Sequence, residues 1–60
     1  MNTNLKPGDM VRVIIDNLSA YGVIIYIQDN QIKVEYKHPT TKEYESEWFL
    51  FEEVVKIGSK

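Results

Sequence analysis

The chain has 60 residues, which is enough for one small domain that buries only about 60% of the surface its unfolded form exposes. Its 43% hydrophobic and 27% charged residues are typical of a folded domain, and the lack of cysteine excludes disulfides, thiolate zinc sites and redox motifs. The formal net charge of -2 disfavours non-specific binding to phosphate backbones.

The longest apolar run, Val23 to Ile27, has five residues and is too short to span a membrane. The polar start, Met1 to Asn4, lacks the apolar stretch of a signal peptide. We therefore expect a cytoplasmic protein.

The first predicted strand covers residues 10–15 and follows the turn signal Pro7-Gly8-Asp9. It ends at Asp16-Asn17, because the side chains of Asp and Asn compete with the strand for backbone groups. A short loop over 17–20 and a second strand over 21–28 are predicted next.

Gly22 in the second strand indicates a bulge or a close approach of another backbone. Ile24 and Ile27 can both face inward only if the strand register shifts between them. Asp29-Asn30 then fits the two central residues of a type I′ hairpin turn, since both tolerate a positive φ.

Residues 32–37 alternate apolar and charged side chains, which predicts a strand with Ile32, Val34 and Tyr36 inside. A polar loop over 38–43 follows, in which Pro39 prevents a continuous ladder.

A fourth strand is predicted over 44–51, a 3-10 turn at Glu52-Glu53 and a closing strand over 54–57. The alternative is a helix over 43–57. Such a helix would be apolar all round at Trp48 to Phe51, so we favour the strands.

Five short strands in so few residues predict an all-β fold, a small barrel that hides its edges and shares one core. The domain is expected to span 6–57, with flexible ends at 1–5 and 58–60. Its expected inner residues are Val11, Val13, Ile24, Ile27, Ile32, Val34 and Val54.

Four segments carry a resemblance that spans nearly the whole chain: Lys6-Pro7-Gly8-Asp9-x-Val11-x-Val13, Tyr21-Gly22-x-Ile24-x-x-Ile27, Ile32-x-Val34-x-Tyr36 and Phe49-x-Phe51-x-Glu53-Val54-x-x-Ile57. Together they resemble the SH3-like barrels, in particular KOW-type modules, the PsaE subunit of photosystem I and small proteins of bacteria and their phages. The resemblance implies a barrel fold and a range of binding roles.

Two departures narrow those roles. The Ala-Leu-Tyr-Asp-Tyr segment of signalling SH3 domains is missing, so binding of proline-rich peptides is not supported. KOW modules have a glycine-rich, basic first strand and loop, whereas Asp9 and Asp16 stand against Arg12 here.

The residues for catalysis are lacking, so we expect a protein that is not an enzyme and has no cofactor. His38 is the only histidine, and it is interpreted as a solvated loop residue without an orienting carboxylate. No spacing indicates a metal site, and Gly8, Gly22 and Gly58 are too far apart to cradle a phosphate.

Aromatic residues are numerous for so small a core, and rings of this kind are enriched where proteins bind partners. The predicted protein-binding surface, for a protein partner or a second copy, consists of Tyr21, Tyr36, Tyr44 and Trp48. On the fourth strand two alternatives stay open: either Phe49 and Phe51 face inward and Trp48 is outside, or Trp48 is inside and Phe49 is exposed.

Tyr21, Tyr36 and Tyr44 are candidates to meet at one end of the barrel, either by simple packing or as a Tudor-like aromatic cage for Arg or Lys cations. The alternative function is a KOW-like or Tudor-like nucleic-acid-binding module. Its candidate residues are Arg12, Lys33, Lys37 and Lys42, with His38 close to the lysines.

Five carboxylates gather late in the chain, at Glu43, Glu45, Glu47, Glu52 and Glu53. Glu45 and Glu47 alternate on the fourth strand and should share a solvated face. They either keep the domain soluble and protect a strand edge, or form an acidic patch that meets a basic partner or mimics nucleic-acid phosphates.

Overall fold

The computed structural model describes residues 5–58, and it has five antiparallel strands and one 3-10 turn, as the sequence predicts. The elements are β1 (Met10–Ile15), β2 (Leu18–Gln28), β3 (Gln31–Lys37), β4 (Tyr44–Leu50), the 3-10 turn (Phe51–Glu53) and β5 (Val55–Gly58). They form one sheet in the order β4-β3-β2-β1-β5. Within the described residues β4 and β5 are the two edges and do not pair with each other, so the pairing does not close the sheet into a barrel.

The strand interpretation of the last third of the chain is confirmed over the helical alternative. The 3-10 turn begins one residue earlier than predicted, and β5 starts at Val55 and includes Gly58, which was expected in a flexible end. In the described part of the chain no helix is long and apolar enough to cross a membrane. The remaining residues of the expected flexible ends, 1–4 and 59–60, lie outside the described residues.

The turn between β1 and β2 is shorter than predicted. Asp16 and Asn17 have φ of 52° and 66°, the two positive values that a type I′ turn requires, and β2 begins at once with Leu18. The predicted loop over 17–20 is therefore wrong. At the next hairpin only Asp29 of the Asp29-Asn30 pair has a positive φ, so the type I′ prediction there is also wrong.

The two features predicted for β2, a close approach at Gly22 and a register shift, both occur, at different residues. At Gly22 a Cβ would lie 2.8 Å from Tyr36 Cβ and closer still to the Glu35 carbonyl oxygen, so the predicted close approach is confirmed. The register shift lies further along, between Ile24 and Tyr26. It turns Ile24 and Ile27 toward the same side, as their predicted inward orientation requires.

One face of the sheet carries the core. Its buried residues are Val11, Val13, Ala20, Ile24, Ile32, Val34, Tyr36, Phe49 and Val54. Ile27 is only partly buried but packs against them, and so does Leu5, which was expected in the flexible N-terminus. Tyr36 is 1% exposed, so its inward orientation is confirmed and its place in a protein-binding surface is wrong.

The turn before β1 fastens the N-terminal end of the domain. Gly8 has φ 99°, a value that suits glycine after proline in a type II turn, and the Asp9 amide donates to the Lys6 carbonyl at 3.0 Å. Gly8 N–H donates to the carbonyl of Ile24, whose own N–H donates to the carbonyl of Asp9. The turn is therefore fixed against β2 beside its register shift.

Candidate functional site

The side of β2, β3 and β4 that faces away from the core is called the outer face here. Because side chains alternate along a strand, the pairing registers determine its members. They are Tyr21, Val23, Tyr26 and Gln28 of β2, Gln31, Lys33, Glu35 and Lys37 of β3, and Tyr44, Ser46, Trp48 and Leu50 of β4. Four of the seven aromatic side chains of the protein thus lie on one solvent-facing surface.

A cluster of three side chains crosses the outer face and is called the Trp48 cluster. Lys33 is the register partner of Tyr26 on one side and of Trp48 on the other. The two rings meet edge to face with centroids 6.0 Å apart, and Lys33 Nζ lies 5.8 Å from the Trp48 ring centroid. Tyr26 and Trp48 nevertheless remain 53% and 41% exposed. The two rings are thus in contact with each other and a lysine, and both are open to a partner.

The structure decides between the two alternatives for the fourth strand. Phe49 is 8% exposed and packs against Tyr36, whereas Trp48 and Leu50 lie on the outer face. Tyr26 was not among the predicted site residues. The register shift that brings it beside Trp48 lies between Ile24 and Ile27, where the sequence required one, but the resulting pairing of Tyr26 with Lys33 was not predicted.

Tyr21 and Tyr44 line the same shallow groove at one end of the sheet, called the tyrosine groove. Its full lining is Leu18, Ser19, Ala20, Tyr21, Lys37, His38, Pro39, Lys42 and Tyr44. Tyr21 and Tyr44 thus share one groove, whereas Tyr36, expected beside them, is buried on the core side of the sheet. Two lysines and no carboxylate among the lining residues disfavour a cage for Arg or Lys cations, because like charges repel.

His38 shapes one wall of the tyrosine groove. Its Nδ1 accepts hydrogen bonds from the backbone N–H groups of Thr40 and Thr41, at 3.1 and 3.4 Å. Nε2 lies 3.4 Å from Asp16 Oδ2, so the imidazole links the loop over 38–43 to the β1–β2 turn. The side chain is only 13% exposed, so the interpretation as a solvated histidine without an orienting carboxylate is wrong. Its role here is structural.

The four predicted basic residues occupy different places. Arg12 is the register partner of Tyr21, and its buried Nε has no hydrogen-bond partner among residues 5–58. Lys37 is the register partner of Tyr44, and Lys42 lies beside them, with its Nζ donating to the Pro39 carbonyl at 3.0 Å. Lys33 stands apart, in the Trp48 cluster.

The two central glutamates of β4 lie on the side opposite the Trp48 cluster. Glu45 and Glu47 are the register partners of Tyr36 and Val34, and both are exposed, as the solvated-face prediction requires. The Tyr36 hydroxyl donates to Glu45 Oε1 at 3.3 Å. Burial, followed by the charges of Glu47 and Glu45, raises the pKa of Tyr36 to about 12. The hydroxyl therefore remains protonated at neutral pH.

The described residues contain no group of three or more His, Asp or Glu side chains that could hold a metal ion. No protein-family model, curated protein or solved structure matches the chain.

Proposed function

We propose that this protein is a non-enzymatic binding module that holds a protein partner against its outer face. The Trp48 cluster carries the proposal. It keeps two aromatic rings in contact with each other and with a lysine, yet leaves both about half exposed, which is costly in water unless another surface covers them. Tyrosine and tryptophan are the residue types that contribute most to the centres of protein interfaces.

The finer fold proposal is a small SH3-like barrel. Its support is the resemblance of the four sequence segments together with the observed strand order and the 3-10 turn directly before β5. A barrel of this size has an outer surface that can bind a partner but little internal space for an active site.

The test of the proposed function is capture of a partner by immobilised protein, with sedimentation velocity for self-association. We expect Trp48→Ala to abolish the captured protein or the dimer while the urea unfolding midpoint stays close to that of the wild type. The matched control is Ile57→Ala, which removes a similarly exposed apolar side chain from β5, outside the outer face. Loss of binding in both variants, or in neither, contradicts the proposal.

A second candidate function, nucleic-acid binding, has one specific observation in its favour. Cations and rings adjoin at one end of the sheet, where Lys37 pairs with Tyr44 and where Lys37 and Lys42 line the same groove as Tyr21. Surfaces that bind single strands combine stacking rings with cations in this way. A gel shift with single- and double-stranded probes at low salt tests this candidate, and a Lys37→Gln, Lys42→Gln variant should abolish any shift. Absence of a wild-type shift removes it.

A further inference from the structure

The strand β4 is an edge of the sheet: it pairs with β3 on one side, and no strand within residues 5–58 pairs with its other side. Because the β2–β3 turn has two residues, Gln28 and Gln31 form a hydrogen-bonded pair. From Gln31 onward, successive residues of β3 therefore direct their backbone N–H and C=O groups alternately toward β2 and toward β4. Ile32 therefore bonds across to Phe49, and alternate residues of β4 turn their N–H and C=O groups outward. The outward residues are Tyr44, Ser46, Trp48 and Leu50.

One observed bond agrees with this alternation and limits the open edge. Leu50 N–H points outward and donates to Glu53 Oε1 at 2.9 Å, so the 3-10 turn caps the end of the strand. The backbone groups of Ser46 and Trp48 make no such contact with the described residues. Two adjacent outward sites therefore stay open, and unpaired backbone groups of this kind are the template onto which an additional strand can pair.

Side chains on the two faces of β4 differ sharply along this open segment. Glu45 and Glu47 project on the core side of the sheet, where both are exposed, whereas Trp48 projects on the outer face. A strand paired with β4 would place its own side chains alternately beside the glutamates and beside the Trp48 ring. The edge thus favours a strand in which side chains that pair with carboxylates alternate with side chains that pack on an aromatic ring.

We propose that the free edge of β4 binds an extended peptide segment in which Lys or Arg alternates with apolar residues. The basic side chains of the peptide meet Glu45 and Glu47, its apolar side chains cover Trp48, and its backbone pairs with Ser46 and Trp48. This inference rests on the proposed function, since it names the kind of protein partner and adds the edge to the surface that contacts it.

Charge disfavours a second copy of β4 as the occupant of the open edge at Ser46 and Trp48. An antiparallel pairing centred on Ser46 would set Glu45 opposite Glu47 of the second copy, twice. A pairing centred on Glu47 would set that residue against itself. Like charges directly opposite each other destabilise a sheet, whereas opposite charges stabilise it. The same glutamates therefore hinder self-pairing and favour a basic strand.

The test uses a nine-residue, capped peptide that alternates Lys and Val, titrated into the full chain. Two matched controls keep the length: one replaces each Lys by Glu, and the other places all lysines together. A third control carries N-methyl groups on alternate backbone nitrogens, which removes the N–H groups that would face β4. Binding is followed by the fluorescence of Trp48, the only tryptophan, and by hydrogen exchange of the Ser46 and Trp48 amides.

We expect only the alternating basic peptide to bind and to slow exchange of both amides. The double variant Glu45→Gln, Glu47→Gln should weaken binding roughly three- to tenfold, as expected for two partly exposed ion pairs. The double variant Glu43→Gln, Glu52→Gln removes the same charge away from the open edge and should bind as the wild type does.

Two results overturn the edge proposal. A change in Trp48 fluorescence without slower exchange at Ser46 would place the peptide on the outer face alone, which leaves the proposed function standing. Equal binding of the N-methylated peptide, or of the clustered one, would show that backbone pairing or the alternation of side chains, respectively, is not used. Capture that persists in the Trp48→Ala variant of the earlier experiment, by contrast, contradicts the proposed function itself.

Discussion

At Gly22 the backbone of β3 leaves no space for a Cβ on β2, so this residue provides a test at the scale of a single side chain. A methyl group there would overlap the Glu35 carbonyl and press on Tyr36 Cβ, and both neighbours belong to the hydrogen-bonded sheet. We expect Gly22→Ala to lower the free energy of unfolding by about 1–3 kcal/mol, as overpacking of a core does. Urea denaturation measures the change.

The control for that substitution is Gly58→Ala. A Cβ at Gly58 would meet only Met10 Sδ, at 4.0 Å, which is ordinary contact. This variant should unfold within about 0.5 kcal/mol of the wild type. Equal destabilisation by the two substitutions would show that the close approach does not set the cost.

Tyr36 makes the free energy of unfolding decrease as the pH rises into the alkaline range. The unfolded side chain loses its proton near pH 10, whereas burial and the neighbouring Glu47 and Glu45 raise the pKa in the folded protein to about 12. Between these values the unfolded state binds fewer protons, so the contribution of Tyr36 is complete below pH 10 and falls as pH rises, by at most about 1.4 kcal/mol per pH unit. We expect Tyr36→Phe to flatten this decline in urea melts. Parallel curves for the two proteins would contradict it.

At the scale of an element, the loop over 38–43 depends on one imidazole. His38 accepts from Thr40 and Thr41 and reaches Asp16 in the neighbouring turn. We expect His38→Ala to cost about 1–2 kcal/mol, because two backbone donors lose their acceptor. Hydrogen exchange should quicken at Thr40 and Thr41 and change little in β1. Uniform quickening throughout the sheet would mean that the whole domain, rather than the loop, has been weakened.

The elements of this fold follow from local signals more fully than the contacts between them do. Alternation in 32–37 and the apolar run at 48–51 favour strands, because a period of two and an all-round apolar pattern are each untypical of a surface helix. The register shift in β2 was expected between Ile24 and Ile27 and lies there, whereas the pairing that it creates between Tyr26 and Lys33 has no signal in the sequence of a single strand. Tyr26 was missed from the site for that reason, and Tyr36 was placed in it although its own strand pattern predicted burial.

At the scale of the whole molecule, the net charge is small although basic and acidic side chains lie on different sides of the sheet. Lys33 and Lys37 lie on the outer face, whereas Glu45 and Glu47 lie on the other side of the sheet at its free edge. The sequence shows the two groups as neighbouring stretches, and only the register shows that strand alternation sends them to opposite sides. The glutamates at the free edge of β4 therefore suit a basic strand, whereas the end of the sheet with the tyrosine groove carries the basic residues Lys37 and Lys42.

Asp9 joins the two ends of the described chain, and its removal tests how far the domain depends on that link. The residue is 2% exposed, and its Oδ2 accepts from Lys6 N–H at 2.9 Å and lies 3.5 Å from Lys56 Nζ in β5. Hydrogen bonds to a charged group stabilise by about 1.5–3 kcal/mol, so we expect Asp9→Ala to lower the free energy of unfolding by about 2–3 kcal/mol. Asp9→Asn keeps an acceptor for Lys6 N–H but loses the charge opposite Lys56, and it should cost less. Urea melts of both variants measure the difference, and an alanine variant as stable as the wild type would show that β5 stays attached to β1 through strand pairing alone.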